Sequence, residues 1–184
     1  MIKIFYADVN SVKKRFGTLI NSPSRQEYLI SITDENRYRQ SLAVWQLLEF
    51  VLAKYFNLWS PGFIKTESGR WQVLNSSVKF SLTHSKNLVA VAVSDKGEIG
   101  LDIEKITDKV LKLKKRYKLI ETENLEEMSR ILTEKWTEEE SLYKSGLQDG
   151  FFKTEIVADC FNEMYAITVC SEIKDRLNIE KADM

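Results

Sequence analysis

The chain reads as an α+β protein built from two similar halves, each a small, mostly antiparallel sheet with one long helix. Three observations predict this. Asp34 to Phe56 and Asn124 to Lys144 carry apolar residues at threes and fours, the period of a helix buried along one face. Short runs rich in β-forming residues, bounded by turn residues, fall before, between and after them. The order strand, helix, meander, helix, strands divides the chain near Lys96 to Gly100, into an N-terminal half of residues 1–97 and a C-terminal half of residues 98–184.

Each element follows from local chemistry. Ile2 to Asp8 is an apolar, strand-like run suited to the inside of a sheet. Asn21-Ser22-Pro23-Ser24 is a turn that should open a helix, because serine caps and proline is tolerated in a first turn. In the long helix that follows, Leu42, Trp45, Leu48, Val51, Leu52 and Tyr55 make one wide apolar face. Ser60-Pro61-Gly62 breaks that pattern, and the segment to Ser77 is loop-rich, with a turn at Ser68-Gly69. Val78 to Thr83, Leu88 to Ser94 and Ile99 to Glu104 are three β signals separated by turn chemistry, which predicts an antiparallel meander. The lysine-rich run from Thr107 to Ile120 reads as a solvated helix face or exposed loop. In the second long helix, Leu125, Met128, Ile131, Leu132, Trp136, Leu142 and Tyr143 form the expected buried stripe, and Gly146 ends it. Strands are expected near Lys153 to Ala158 and Tyr165 to Cys170.

A chain of 184 residues suffices for one domain or two intimately packed halves. Lysine plus arginine equals aspartate plus glutamate at 27 each, so no basic excess exists to drive nucleic-acid binding. Cys160 and Cys170 lie in an apolar segment without C-x-x-C spacing and read as buried thiols of a reducing compartment. Met1 to Asn10 carries Lys3 and Asp8 and fits neither a signal peptide nor a membrane span. The expectation is a cytoplasmic monomer without membrane or nucleic-acid partners.

The stretch that carries chemistry is Gly100 to Glu104. On a strand, Leu101 and Ile103 enter a core while Asp102 and Glu104 share the opposite face. Two carboxylates that close repel unless a positive charge sits between them. Magnesium answers that need, since it takes one or two carboxylates, keeps waters and completes its shell with substrate phosphates. Downstream, Glu140 and Lys144 are four apart on one helix face and can project together toward Asp102 and Glu104. Taken alone, that pair reads as a surface ion pair rather than a site, and His84, the single histidine, as a structural group at a strand end.

In combination, F-S-L-T-H-S (Phe80 to Ser85), G-L-D-I-E-K (Gly100 to Lys105) and W-T-E-E-E-S-L-Y-K (Trp136 to Lys144) resemble the three successive signatures of the 4′-phosphopantetheinyl transferases. With about a hundred residues before the D-x-E motif, the chain is similar to the surfactin-synthetase-activating type, a single-chain pseudo-dimer. The resemblance implies magnesium-dependent transfer of phosphopantetheine from coenzyme A to a serine of an apo acyl or peptidyl carrier protein, releasing 3′,5′-ADP. It implies Asp102, Glu104 and Glu140 as magnesium ligands and Lys144 as a phosphate contact. His84 and Thr83 match residues near the diphosphate and the 3′-phosphate. Ser22 to Tyr28 and Arg37 to Leu42 look like coenzyme-binding helices, with Arg25 and Ser41 at phosphate-contacting positions. Ser68-Gly69-Arg70-Trp71 stands where the family has a Gly-Lys-Pro loop around the adenine, which makes Arg70 a further phosphate contact. Apolar residues before Leu132 would receive the carrier helix. The serine also needs a base, and Glu140 or a metal-bound water is the candidate.

Some positions depart from the family pattern. Glu139 stands where the family has lysine, Tyr28 replaces a basic phosphate contact, and the glycine-rich continuation after Lys144 is short. These departures sustain a second reading, a coenzyme A or carrier-protein binding module with weakened catalysis. A third is an interaction protein without metal or coenzyme.

Overall fold

The computed structural model describes residues 1–11, 23–67, 69–117, 124–175, 177 and 179–183. Asn21 and Ser22 of the expected turn, Ser68 of the Ser68-Gly69 turn and residues 118–120 of the lysine-rich run lie outside them. In chain order the first elements are β1 (Ile2–Asp8), α1 (Pro23–Ser31), α2 (Glu35–Phe56), β2 (Phe63–Lys65), β3 (Trp71–Val73), β4 (Lys79–Ser85), β5 (Leu88–Ser94) and β6 (Ile99–Lys105). A 3-10 helix (Asp108–Leu113), α3 (Lys114–Tyr117), α4 (Leu125–Ser145), β7 (Phe152–Cys160), β8 (Glu163–Ser171) and β9 (Ile179–Lys181) complete the fold. The architecture is mixed α+β.

The first sheet has the order β4-β5-β1-β9, in which β5 runs antiparallel to both neighbours and β9 joins β1 in parallel. β5 reads L-V-A-V-A-V-S with no polar alternation, and all seven residues are buried. Both of its faces are covered. Val89, Val91 and Val93 pack under α2 with Leu47, Leu48, Val51 and Leu52, whereas Leu88, Ala90 and Ala92 face a second core with Ile99, Leu101 and Ile103. A continuous apolar run is what a strand buried on both sides requires. Asp34 caps α2 by accepting from Arg37 N, and Asn57 closes it in the left-handed conformation.

The expected meander is only half formed. β4 and β5 pair, but β6 leaves for a second sheet of order β6-β8-β7. Both edges of β5 are already taken by β4 and β1, so β6 finds its backbone partner in β8. The segment read as loop-rich also contains the β2–β3 hairpin. The lysine-rich run forms the 3-10 helix and α3 with no buried residue, as its solvated character predicts. Both cysteines are buried free thiols.

The buried stripe of α4 differs from the expected one. Leu125 and Tyr143 are exposed, and the inward face is Met128, Ser129, Leu132, Thr133, Thr137, Ser141 and Ser145. Small hydroxyl residues replace bulky apolar ones because the helix lies almost on the sheet. A Cβ added at Gly100 would stand 1.9 Å from Ser141 O and 2.5 Å from Ser145 N, so only glycine fits beneath the helix. Thr137 and Thr168 hydroxyls bond at 2.8 Å, which satisfies both polar groups inside that contact.

Two outcomes follow from this packing. Gly100→Ala should lower the unfolding free energy by about 2 kcal/mol or more, read from a urea titration, because backbone on two elements must move to admit the methyl. Burial pushes the Glu49 carboxyl on α2 up to about 7, and its Oε1 has no hydrogen-bond partner. A folded-state value above the ordinary 4.5 means that the Glu49 contribution is full below 4.5 and lost as pH rises toward 7. Glu49→Gln should therefore show a flatter stability profile than the wild-type chain between about pH 5 and 8, measured as urea midpoints.

Candidate active site

Three hydroxyls on β4 alternate along one face, Ser81, Thr83 and Ser85, and they meet the edge of β6 that faces β4. Leu101 N donates to Ser81 Oγ at 2.9 Å, Ile103 N to Thr83 Oγ1 at 3.4 Å, and Lys105 N to Ser85 Oγ at 3.1 Å. Side chains thus stand in for a backbone ladder. Two of these hydroxyls also donate onward. Thr83 Oγ1 reaches Asp102 Oδ1 at 2.9 Å and Ser85 Oγ reaches Glu104 Oε2 at 2.6 Å. The alternation of S-x-T-x-S opposite D-x-E was visible in the sequence, but the role of Ser81 and Ser85 was not.

Asp102 is buried at 3% exposure, and Lys144 Nζ donates to its Oδ1 at 2.6 Å. Gly146 ends α4 in the left-handed conformation, its N–H bonded to Leu142 and Tyr143 carbonyls, so the last turn carrying Lys144 is held. The second Asp102 oxygen, Oδ2, is buried without a hydrogen-bond partner. An orphaned carboxylate oxygen beside a second acid is where a cation fits. Burial holds the Glu104 carboxyl above its ordinary range, the Ser85 bond opposes that rise, and the Asp102 charge adds to it. The imidazole of His84 is open to solvent on one side, yet crowding by protein is the first cause of its lowered pKa. The Lys144 charge is the second, and Asp102 opposes both.

The expected acidic triad is gathered only in part. Asp102 and Glu104 come together, whereas among the described residues no three acids, histidines or cysteines form a metal-holding group. Glu140 lies one helical turn before Lys144 on α4, and among the described residues no hydrogen bond or ion pair joins it to Asp102 or Glu104. Its charge is felt by Tyr117, whose hydroxyl is pushed up to about 12 by burial first and by Glu139 and Glu140 after it. Two carboxylates with waters and phosphate oxygens are nonetheless a sufficient set for magnesium. Glu139, the charge that would repel phosphate, is ion-paired with Arg116 at 2.5 Å.

Two adjoining cavities are lined by the side chains that bond Asp102, Lys144 in one and Thr83 in the other. One, of about 520 Å³, is lined by Gly69, Arg70, Trp71, Phe80, Leu82 and Lys144, among others. The other, of about 450 Å³, is lined by Arg25, Tyr28, Ser41, Trp45, Thr83 and His84, and shares Gly69, Trp71 and Leu82 with the first. Together they make a groove. Arg25 is buried, bonds to Ser41 through both its hydroxyl and its carbonyl, and is sandwiched between the rings of Tyr28 and Trp45 at 4.7 Å each. Burial lowers its pKa to about 10, with Tyr28 opposing, and its Nε has no partner. Arg70 also lines the groove, but its guanidinium is engaged by Glu98 at 2.8 Å. Neither family models nor curated proteins match the chain. Among the described residues no helix is long and apolar enough to cross a membrane.

The Lys144–Asp102 pair sets a measurable coupling. Lys144→Met should cost about 3 kcal/mol by leaving the Asp102 carboxylate buried and unpaired. Lys144→Met with Asp102→Asn should cost less than Lys144→Met alone, and simple additivity in denaturant titrations would contradict the pairing.

Proposed function

We propose that the chain is a magnesium-dependent 4′-phosphopantetheinyl transferase, whose two halves pack as a pseudo-dimer around one site. The observation that supports this most is the groove itself. Arg25, Ser41, Thr83, His84, Arg70 and Lys144 line two adjoining cavities, and Thr83 and Lys144 tie that groove to the buried Asp102. A cationic groove whose Thr83 and Lys144 bond a buried acid suits a ligand that is both phosphorylated and metal-bridged, as coenzyme A is.

In this reading Asp102 and Glu104 would hold the ion, oriented by Thr83 and Ser85. Magnesium, when bound, neutralises the diphosphate and favours departure of 3′,5′-ADP. Lys144 keeps its bond to Asp102 and offers its remaining N–H donors to the diphosphate, and neutral His84 donates one hydrogen bond to a phosphate oxygen where charge accumulates. The carrier serine Oγ forms a bond to the phosphorus bearing the pantetheine arm as the bond to the 3′,5′-ADP oxygen breaks. The serine proton passes to Glu140, directly or through water, from the α4 turn that precedes Lys144. Glu140 would become a third metal contact by rotation of its own side chain, since α4 already rests on β6. The carrier approaches over apolar residues before Leu132.

A binding module with weakened catalysis is the competing reading. The Arg116–Glu139 pair weakens its premise, since that carboxylate is already neutralised.

Incubation with coenzyme A, magnesium and an apo-carrier should add a phosphopantetheine mass to the carrier, and chelating the magnesium or Asp102→Ala should abolish it. Binding of coenzyme A without a mass shift across several carriers would leave only the module.

A further inference from the structure

We infer that the open edge of β7 is a dimer interface, on which a second copy of this chain pairs antiparallel about Ile156, so that Lys153 of each copy faces Asp159 of the other.

The sheets leave few backbone edges open. β6 meets β4 through the Ser81, Thr83 and Ser85 hydroxyls, and the outer strand β9 is three residues long. β7 ends the order β6-β8-β7, so its nine residues pair with β8 on one side, and among the described residues no strand takes the other. A strand in that position presents a row of N–H and C=O groups that a further strand can satisfy. β7 contains neither proline nor glycine, and its register with β8 runs unbroken from Phe152 to Cys160. Phe152 and Val157 stay 44% and 38% exposed on it, apolar area that a partner strand would remove from water.

The sequence of β7 is complementary to itself in one register. A twofold axis through the sheet keeps each face on its own side, so two residues can oppose each other only when both belong to the same face. Centred on Glu155, the pairing brings the two Glu155 carboxylates together, and centred on Val157 it sets Glu155 against Asp159. Both place like charges in direct opposition. Centred on Thr154, it sets Lys153 against Glu155 but engages only Phe152 to Ile156 of the strand and runs Asp159 against Asp149. Centred on Ile156, all nine residues find partners. Lys153 then opposes Asp159, Thr154 opposes Ala158, Phe152 opposes Cys160, and the two Ile156 side chains meet beside the second core. Among the described residues Asp159 makes no ion pair within its own chain. Lys153 holds Glu138 at 3.0 Å and Glu155 at 3.2 Å, and its third N–H is left for the partner's Asp159.

Sedimentation of the full chain up to about 100 μM should show a concentration-dependent dimer, and the β7 amides should exchange hydrogen more slowly as that dimer fills. Asp159→Lys should weaken association about tenfold, because the twofold repeats the change at two places where opposite charges become like. Asp159→Glu should keep the wild-type affinity. A wild-type chain that is monomeric at every concentration overturns the proposal and leaves the edge to a chain of different sequence. A dimer that Asp159→Lys leaves at wild-type affinity, with the β7 amides exchanging at the monomer rate, places the interface elsewhere and overturns it equally.

Discussion

Thr83 and Ser85 each make two bonds in opposite senses, accepting an amide of β6 and donating to a carboxylate of the same strand. A main-chain ladder between β4 and β6 would join the strands but leave Asp102 and Glu104 free to rotate. Hydroxyls join the strands and hold the acids with the same atoms. The two cores, one under α2 and the other between the two sheets, meet along this seam, so the position of the acids depends on both.

The close approach of α4 follows from the same economy of space. Gly100 removes the one Cβ that would keep the helix off the strand, and Thr137, Ser141 and Ser145 keep the contact thin. The consequence is reach. Lysine on a helix this close spans the distance to Asp102, and the left-handed Gly146 stops α4 immediately after it. The buried carboxylate then has a cation, a hydroxyl donor and one unpartnered oxygen, the mixed state of a group stable alone and still able to take a ligand.

The groove beside it is unequal in how its cations are held. Arg25 is locked by Ser41 and two aromatic rings, Arg70 by Glu98, and Lys144 by Asp102, while Lys65 is exposed. Fixed cations set where an anion sits without loss of side-chain entropy on binding, and a free one adjusts to it. The Tyr28 ring stacks on Arg25, and Glu139 is paired with Arg116.

Local pattern alone determined the strands at β1, β4 and β5, both long helices with the Gly146 stop of the second, and the facing of Asp102 and Glu104 opposite Leu101 and Ile103. Each of these depends on periodicity or turn chemistry within a few residues, which sequence records directly. Tertiary structure decided the rest. Whether β6 pairs with β5 depends on which edges are already occupied, and β1, far away in sequence, occupies one. Apolar Leu125 and Tyr143 lost the inward face of α4 to serine and threonine because clearance, not hydrophobicity, governs a helix resting on glycine. The capture of Arg70 by Glu98 is likewise a matter of which charges meet in space, and no spacing along the chain encodes it.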